Sequence, residues 1–196
     1  MTPLAAYGSL ACNWMFYENR DYNAVPGRGY IAFGINSSFN LPTYHQNRIS
    51  SLAVLSYSMT PNDHSINLFE GPSCTLGSHK IITSKRSFGS APMKFSSLIL
   101  LGNSPWTLYT KEHFRGLRIC VHPNVYYLEM QPRNSQKNYK LLSKFNIGIY
   151  ANMTMFGTIG SCKIGCFSRR NANDVKLFLG RTDTEDGWGS LIYSHH

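Results

Sequence analysis

The chain has 196 residues, 42% of them hydrophobic and 13% aromatic but only 15% charged, which supplies a packed core and excludes intrinsic disorder. Nineteen Lys and Arg against ten Asp and Glu give a formal charge of +9 at pH 7, a sign that suits acidic partners. The basic residues are scattered, in runs no longer than pairs such as Lys85-Arg86 and Arg169-Arg170, which argues against a nucleic-acid groove.

In chain order, "MTPLAAYGSLACNW" has neither the basic start nor the apolar run of a signal peptide. No later segment approaches the roughly 20 apolar residues of a membrane span. With Met1 as the native start, the expectation is an intracellular, cytoplasmic protein in which the sequons at Asn36 and Asn152 are accidental. If a signal peptide has been removed, the protein is secreted and the sequons regain meaning.

The next stretch, "YENRDYNA", sets two aromatics, Tyr17 and Tyr22, five apart. Beyond it come short alternations ("RGYIAFG", "INLF", "WTLYT", "LRICVH") broken by Gly, Pro, Asn and Ser. That is the punctuation of β-strands, with no helical run of 3.6-residue period. An all-β chain is expected.

The chain also repeats itself. Phe95-Ser-Ser-Leu-Ile-Leu100 has its counterpart in Trp188-Gly-Ser-Leu-Ile-Tyr193, and "LFEGPSCTLG" (Leu68–Gly77) has one in "MFGTIGSCKIG" (Met155–Gly165). Tyr17 and Tyr22 have theirs in Tyr109 and Phe114, and Arg48-Ile49-Ser50-Ser51 aligns with Lys140-Leu141-Leu142-Ser143. All these offsets fall between 88 and 93 residues, a collinear set that implies a tandem duplication. Ile49-Ser-Ser-Leu52 and Phe95-Ser-Ser-Leu98 lie 46 apart, which splits each half again. The expected domains are 1–102 and 103–196, joined by Leu101-Gly-Asn-Ser-Pro105.

These residues resemble the βγ-crystallin superfamily, whose Greek-key units open with Tyr/Phe-x4-Tyr/Phe-x-Gly and close with Asn/Asp-Asn/Asp-x-x-Ser/Thr-Ser. "YTKEHFRG" fits the opening completely with Tyr109, Phe114 and Gly116, whereas in the first unit Ala24 stands in for the glycine. "FEGPSC" and "FGTIGSC" keep only the first aromatic, so units two and four are degenerate. The resemblance implies two tandem Greek-key β-sandwich domains, with Greek keys 1 and 2 in 1–102 and 3 and 4 in 103–196. It also implies a degenerate calcium frame at Asn47, Ser50, Ser51, Ser96 and Ser97.

Calcium requires six to eight oxygens, with carboxylates supplying much of the affinity. Gln46-Asn47 and Pro92-Met93 hold the leading positions, and Arg48 and Lys94 add positive charge. The frame is therefore read as kept for folding, its apolar plugs being Ile49, Phe95 and Leu141, with weak Ca²⁺ binding at most and no cofactor.

Five cysteines (Cys12, Cys74, Cys120, Cys162, Cys166) form an odd, sparse set, read as reduced and buried. "CKIGC" lacks the CxxC spacing and second pair of a zinc site. None of the seven histidines sits in a HExxH or Cys–His signature, and GxSxG, GxGxxG and phosphate-loop patterns are absent, so no enzyme is expected. The resulting expectation is a non-enzymatic structural protein that packs densely or self-assembles, with itself as partner, no nucleic acid and no membrane span. The alternatives are a secreted binding module (toxin, inhibitor or glycan binder) and a calcium-binding stress protein.

Overall fold

The computed structural model describes residues 13–25, 27, 29–32, 47–56, 64–130, 141–150, 153, 157–170, 172 and 190–193. Nearly every element in them is a strand. In chain order these are β1 (Asn13–Tyr17), β2 (Gly29–Ala32), β3 (Ser51–Ser56), β4 (Ser65–Phe69), β5 (Ser78–Ile81), β6 (Met93–Lys94) and β7 (Ser97–Leu101). They continue as β8 (Trp106–Lys111), β9 (Arg115–Val121), β10 (Asn124–Met130), β11 (Leu141–Tyr150), β12 (Thr158–Ile159), β13 (Ser161–Ile164) and β14 (Ser190–Tyr193). The all-β expectation holds, and no helix among the described residues is long and apolar enough to cross a membrane.

The chain divides into two compact units. Unit 1 comprises Met1–Met59, Tyr126–Phe145 and Leu177–His196, and unit 2 comprises Thr60–Val125 and Asn146–Lys176. In unit 1 the strands order as β14-β2-β1-β3, all antiparallel. Met15, Phe16, Tyr17, Ile31 and Leu55 are buried there.

Unit 2 holds β7-β4-β5, extended at the β7 side by Ile147–Tyr150 of β11, and a second sheet ordered β13-β8-β9. All five residues of β4 and of β7 are buried, as expected of inner strands covered on both faces. One core draws on both sheets: Ile66 and Leu68 from β4 and Leu98 and Leu100 from β7 pack with Trp106 and Leu108 from β8 and Cys162 from β13. Alternation along β8 sets its two faces, Trp106 and Leu108 turning to the core and Thr107 and Tyr109 away from it.

This organisation differs from the sequence-based division at 102/103. The connection Leu101–Pro105, expected as an interdomain linker, joins two strands that flank it on either side of the same core. Each unit takes segments from both halves of the chain.

Candidate functional site: three clamped hairpins and a tethered strap

Three hairpins share one construction. The turns between β1 and β2, β4 and β5, and β8 and β9 each carry a pair of consecutive left-handed residues, Asp21-Tyr22, Ser73-Cys74 and His113-Phe114, which Asn23 extends to three in the first turn. The second of each pair stands five residues after the last aromatic of the incoming strand, namely Tyr17, Phe69 and Tyr109. The fold-back lays ring against ring. Tyr17 and Tyr22 have centroids 5.6 Å apart, as do Tyr109 and Phe114.

A serine from a later strand locks each turn from both sides. Ser51 Oγ donates to Asn19 O at 2.7 Å and accepts from Tyr22 N at 3.1 Å. Ser97 Oγ donates to Gly71 O at 2.6 Å and accepts from Cys74 N at 2.8 Å. Ser161 Oγ donates to Lys111 O at 2.7 Å and accepts from Phe114 N at 2.9 Å. The residue before each serine completes the clamp through its amide: Ser50 N to Tyr17 O at 2.9 Å, Ser96 N to Phe69 O at 2.8 Å and Gly160 N to Tyr109 O at 2.9 Å. A turn that exposes left-handed backbone groups is thus satisfied by one side chain at one offset, three times over.

Two residues after the turn's second left-handed position stand Ala24, Leu76 and Gly116. Gly116 takes φ 83 and Leu76 takes φ 63, whereas in the first hairpin Ala24 is right-handed and Asn23 turns left instead, at φ 58. Asn tolerates this region far better than Ala, so the missing glycine is accommodated one residue earlier.

The expected structural residues Tyr17, Tyr22, Tyr109, Phe114 and Gly116 therefore all lie in clamped hairpins. Of the calcium-frame residues, Ser51 and Ser97 are clamp serines, while Ser50 and Ser96 supply clamp amides. Asn47 sits exposed in a left-handed turn, φ 61. Arg48 lies 3.6 Å from Glu18.

The third clamp was not expected where it stands. The repeat alignment points to Leu141 and Ser143, yet Ile159-Gly160-Ser161 fills the role, with Ile159 fully buried as the plug. The same alignment equates Cys74 with Cys162, which the structure places in unlike elements: Cys74 at a hairpin tip and Cys162 inside β13. An apolar–small–Ser–apolar reading of Ile159–Cys162 would have found the clamp. The sequons at Asn36 and Asn152 and the acidic stretch Asp183–Gly187 lie outside the described residues.

After β13, residues 165–170 and 172 cross the outer face of β8 and reach the free edge of β9 as a strap. Buried Thr107 holds its start, donating to Gly165 O at 2.6 Å and accepting from Phe167 N at 2.9 Å. Ser168 Oγ donates to Arg118 O, Cys120 N to Arg170 O at 2.8 Å and Ala172 N to Cys120 O at 2.8 Å. A disulfide between Cys120 and Cys166 fixes the crossing. This corrects the expectation that all the cysteines are reduced: strand β9 and the strap bring together two residues whose spacing in sequence matches no framework. His122 Nδ1 or Nε2 lies within 4.8 Å of both sulfurs, but these are bonded to each other and leave no thiolate for a metal.

Cys74 and Cys162 are free and buried. Burial pushes the Cys74 thiol up to about 12, against the Ser97 hydrogen bond, and the Cys162 thiol up to about 11, against the Lys85 backbone hydrogen bond and charge. Unfolded thiols ionise near 9.0, before the folded ones. Their contribution to stability is therefore complete below about pH 9 and falls as pH rises from there towards 11–12. In a Cys12→Ser chain, neither thiol should react with an aromatic disulfide reagent at pH 8 until the protein unfolds; reaction at the rate of an exposed thiol contradicts this.

Compared with known proteins, the chain matches no family model and no curated sequence significantly.

Proposed function

We propose that this chain is a non-enzymatic structural protein of the βγ-crystallin type, built from Greek-key units and able to associate with itself. The observation that carries this reading is the hairpin construction repeated at Tyr17/Tyr22/Ser51, Phe69/Cys74/Ser97 and Tyr109/Phe114/Ser161. In each case the serine-bearing strand pairs with the first strand of its hairpin, giving the orders β3-β1-β2, β7-β4-β5 and β13-β8-β9. A Greek key likewise places its fourth strand beside its first. The repeated polar machinery faces backbone and not a substrate.

The same geometry bears on calcium. The Ser51 and Ser97 hydroxyls are engaged with the turns on both sides, and no carboxylate occupies Gln46-Asn47 or Pro92-Met93. Calorimetric titration with Ca²⁺ is expected to give no micromolar site and no rise in melting temperature. Sedimentation over a wide concentration range is expected to show reversible association. A monomer at every concentration, or a calcium-dependent rise in melting temperature, would overturn the reading.

One observation favours the secreted alternative over a cytoplasmic body: the Cys120–Cys166 disulfide suits an oxidising compartment. On this second reading the protein is released from the cell and acts as a binding module. Protein taken from its source with both cysteines reduced would count against it.

A further inference from the structure

In unit 2 the β8–β9 hairpin, strand β13 and the strap together carry six basic residues: Lys111, Arg115, Arg118, Lys163, Arg169 and Arg170. Register and hydrogen bonds bring them onto one face. Arg118 stands opposite Tyr109 and Lys163 opposite Thr107, on the side of the sheet turned from the core, while Lys111 pairs with Arg115. The strap docks the Ser168 hydroxyl on Arg118 O and its backbone at Arg170 and Ala172 on Cys120, which sets Arg169 and Arg170 along the same edge.

All six except Lys163 are exposed, and none forms an ion pair among the described residues. The one acid in these segments, Glu112, accepts a hydrogen bond from Ser87 and lies 4.0 Å from His113. Mutual repulsion of this kind is retained at a cost in stability unless an anion relieves it. Two phenyl rings adjoin the cations. Lys163 Nζ lies 4.2 Å from the Phe167 centroid and 5.6 Å from that of Phe114, and Phe167 is 44% exposed.

We propose that this face, where the Arg115–Arg118 edge of β9 meets the disulfide-tethered strap bearing Phe167, Arg169 and Arg170, binds a linear sulfated polysaccharide. Arginine forks meet sulfate oxygens in two parallel N–H···O bonds, and an exposed phenyl ring offers a flat apolar surface to the C–H face of a sugar. The choice of sulfated glycan over nucleic acid follows from the tether. The strap is held by a disulfide, a bond of oxidising surroundings, where the polyanions encountered are glycans. This identification of the polymer rests on the reading of a released protein; the charged face itself does not.

The test uses the full oxidised chain and heparin dodecasaccharide, followed by calorimetric titration at several salt concentrations. Duplex DNA of matched charge density and vesicles of phosphatidylcholine with phosphatidylserine serve as competitors. A variant carrying Arg115→Gln, Arg118→Gln, Arg169→Gln and Arg170→Gln is compared with one carrying Arg20→Gln, Arg48→Gln, Lys80→Gln and Lys94→Gln, which removes the same charge elsewhere. The first is expected to lose about tenfold or more in heparin affinity with a shallower salt dependence, and the second about twofold or less.

A readout on the unmodified chain accompanies the variants: bound heparin should shield Lys111 from acetylation while Lys94 reacts as in the unbound chain. Equal losses in the two variants, no heparin binding, unshielded Lys111, or tighter binding to the DNA or the vesicles would each overturn the proposal. Reduced cysteines in protein from its source would overturn only the release reading and leave the heparin result standing.

Discussion

Chains in which Cys120 and Cys166 are both replaced by alanine are expected to unfold at lower denaturant, with unit 2 less stable by about 4 kcal/mol. The magnitude follows from the sequence separation of 46 residues closed by the bond, since a loop of that length loses this much conformational freedom in the unfolded chain. The folded side should change little. Thr107, Arg118 and the Cys120 backbone still hold the strap through hydrogen bonds to Gly165, Phe167, Ser168, Arg170 and Ala172, and none of these requires sulfur. Cys120 is fully buried, so alanine there also leaves a small void, which adds to the loss. Dithiothreitol on the unaltered chain separates the two contributions, because it breaks the bond without the void. With Trp14→Phe and Trp188→Phe as background, fluorescence of Trp106, buried in the unit 2 core, follows the transition. A midpoint that dithiothreitol leaves in place would remove the disulfide from any account of stability.

What could be read from the sequence was what depends on neighbours along the chain. Alternation gave the strands, and the five-residue spacing of Tyr17 and Tyr22 and of Tyr109 and Phe114 falls in the structure on hairpin turns. Ser51 and Ser97 were legible as structural because each follows a plug residue at fixed offset. The third clamp was obscured by a repeated dipeptide. Ser-Cys occurs at Ser73-Cys74, where it takes left-handed backbone at a hairpin tip, and at Ser161-Cys162, where it opens a strand and its serine locks another tip. Composition does not separate these roles; only the partner does. The division into units was illegible for the same reason, because repeat offsets record how segments are related and not which strands hydrogen-bond. The disulfide joins residues whose proximity depends on the strap crossing β8, a contact without a local signature.

Gly160 offers the sharpest test of the clamp. A Cβ built there would lie 2.4 Å from Lys111 C and 2.6 Å from Glu112 N, both backbone atoms of the hairpin that Ser161 holds. Ser50 and Ser96 occupy the matching positions in the other two clamps, so it is the closeness of the third hairpin, and not the hydrogen bond that the Gly160 amide donates to Tyr109 O, that demands glycine. Gly160→Ala should therefore push the 111–114 turn away and destabilise unit 2 by about 3 kcal/mol, the upper range for overpacking against backbone. Ser161→Ala acts on the same turn by a different route. It leaves the Lys111 carbonyl and the Phe114 amide without their partner at the cost of about 2 kcal/mol. If both changes work through the position of this one turn, the double variant loses clearly less than the sum, because a turn already displaced by the Gly160→Ala change has no serine contact left to forfeit. Urea unfolding of the two single variants and the double variant measures this coupling. Strict additivity would show that Gly160 and Ser161 stabilise the unit independently, and the clamp would then be a coincidence of neighbouring residues.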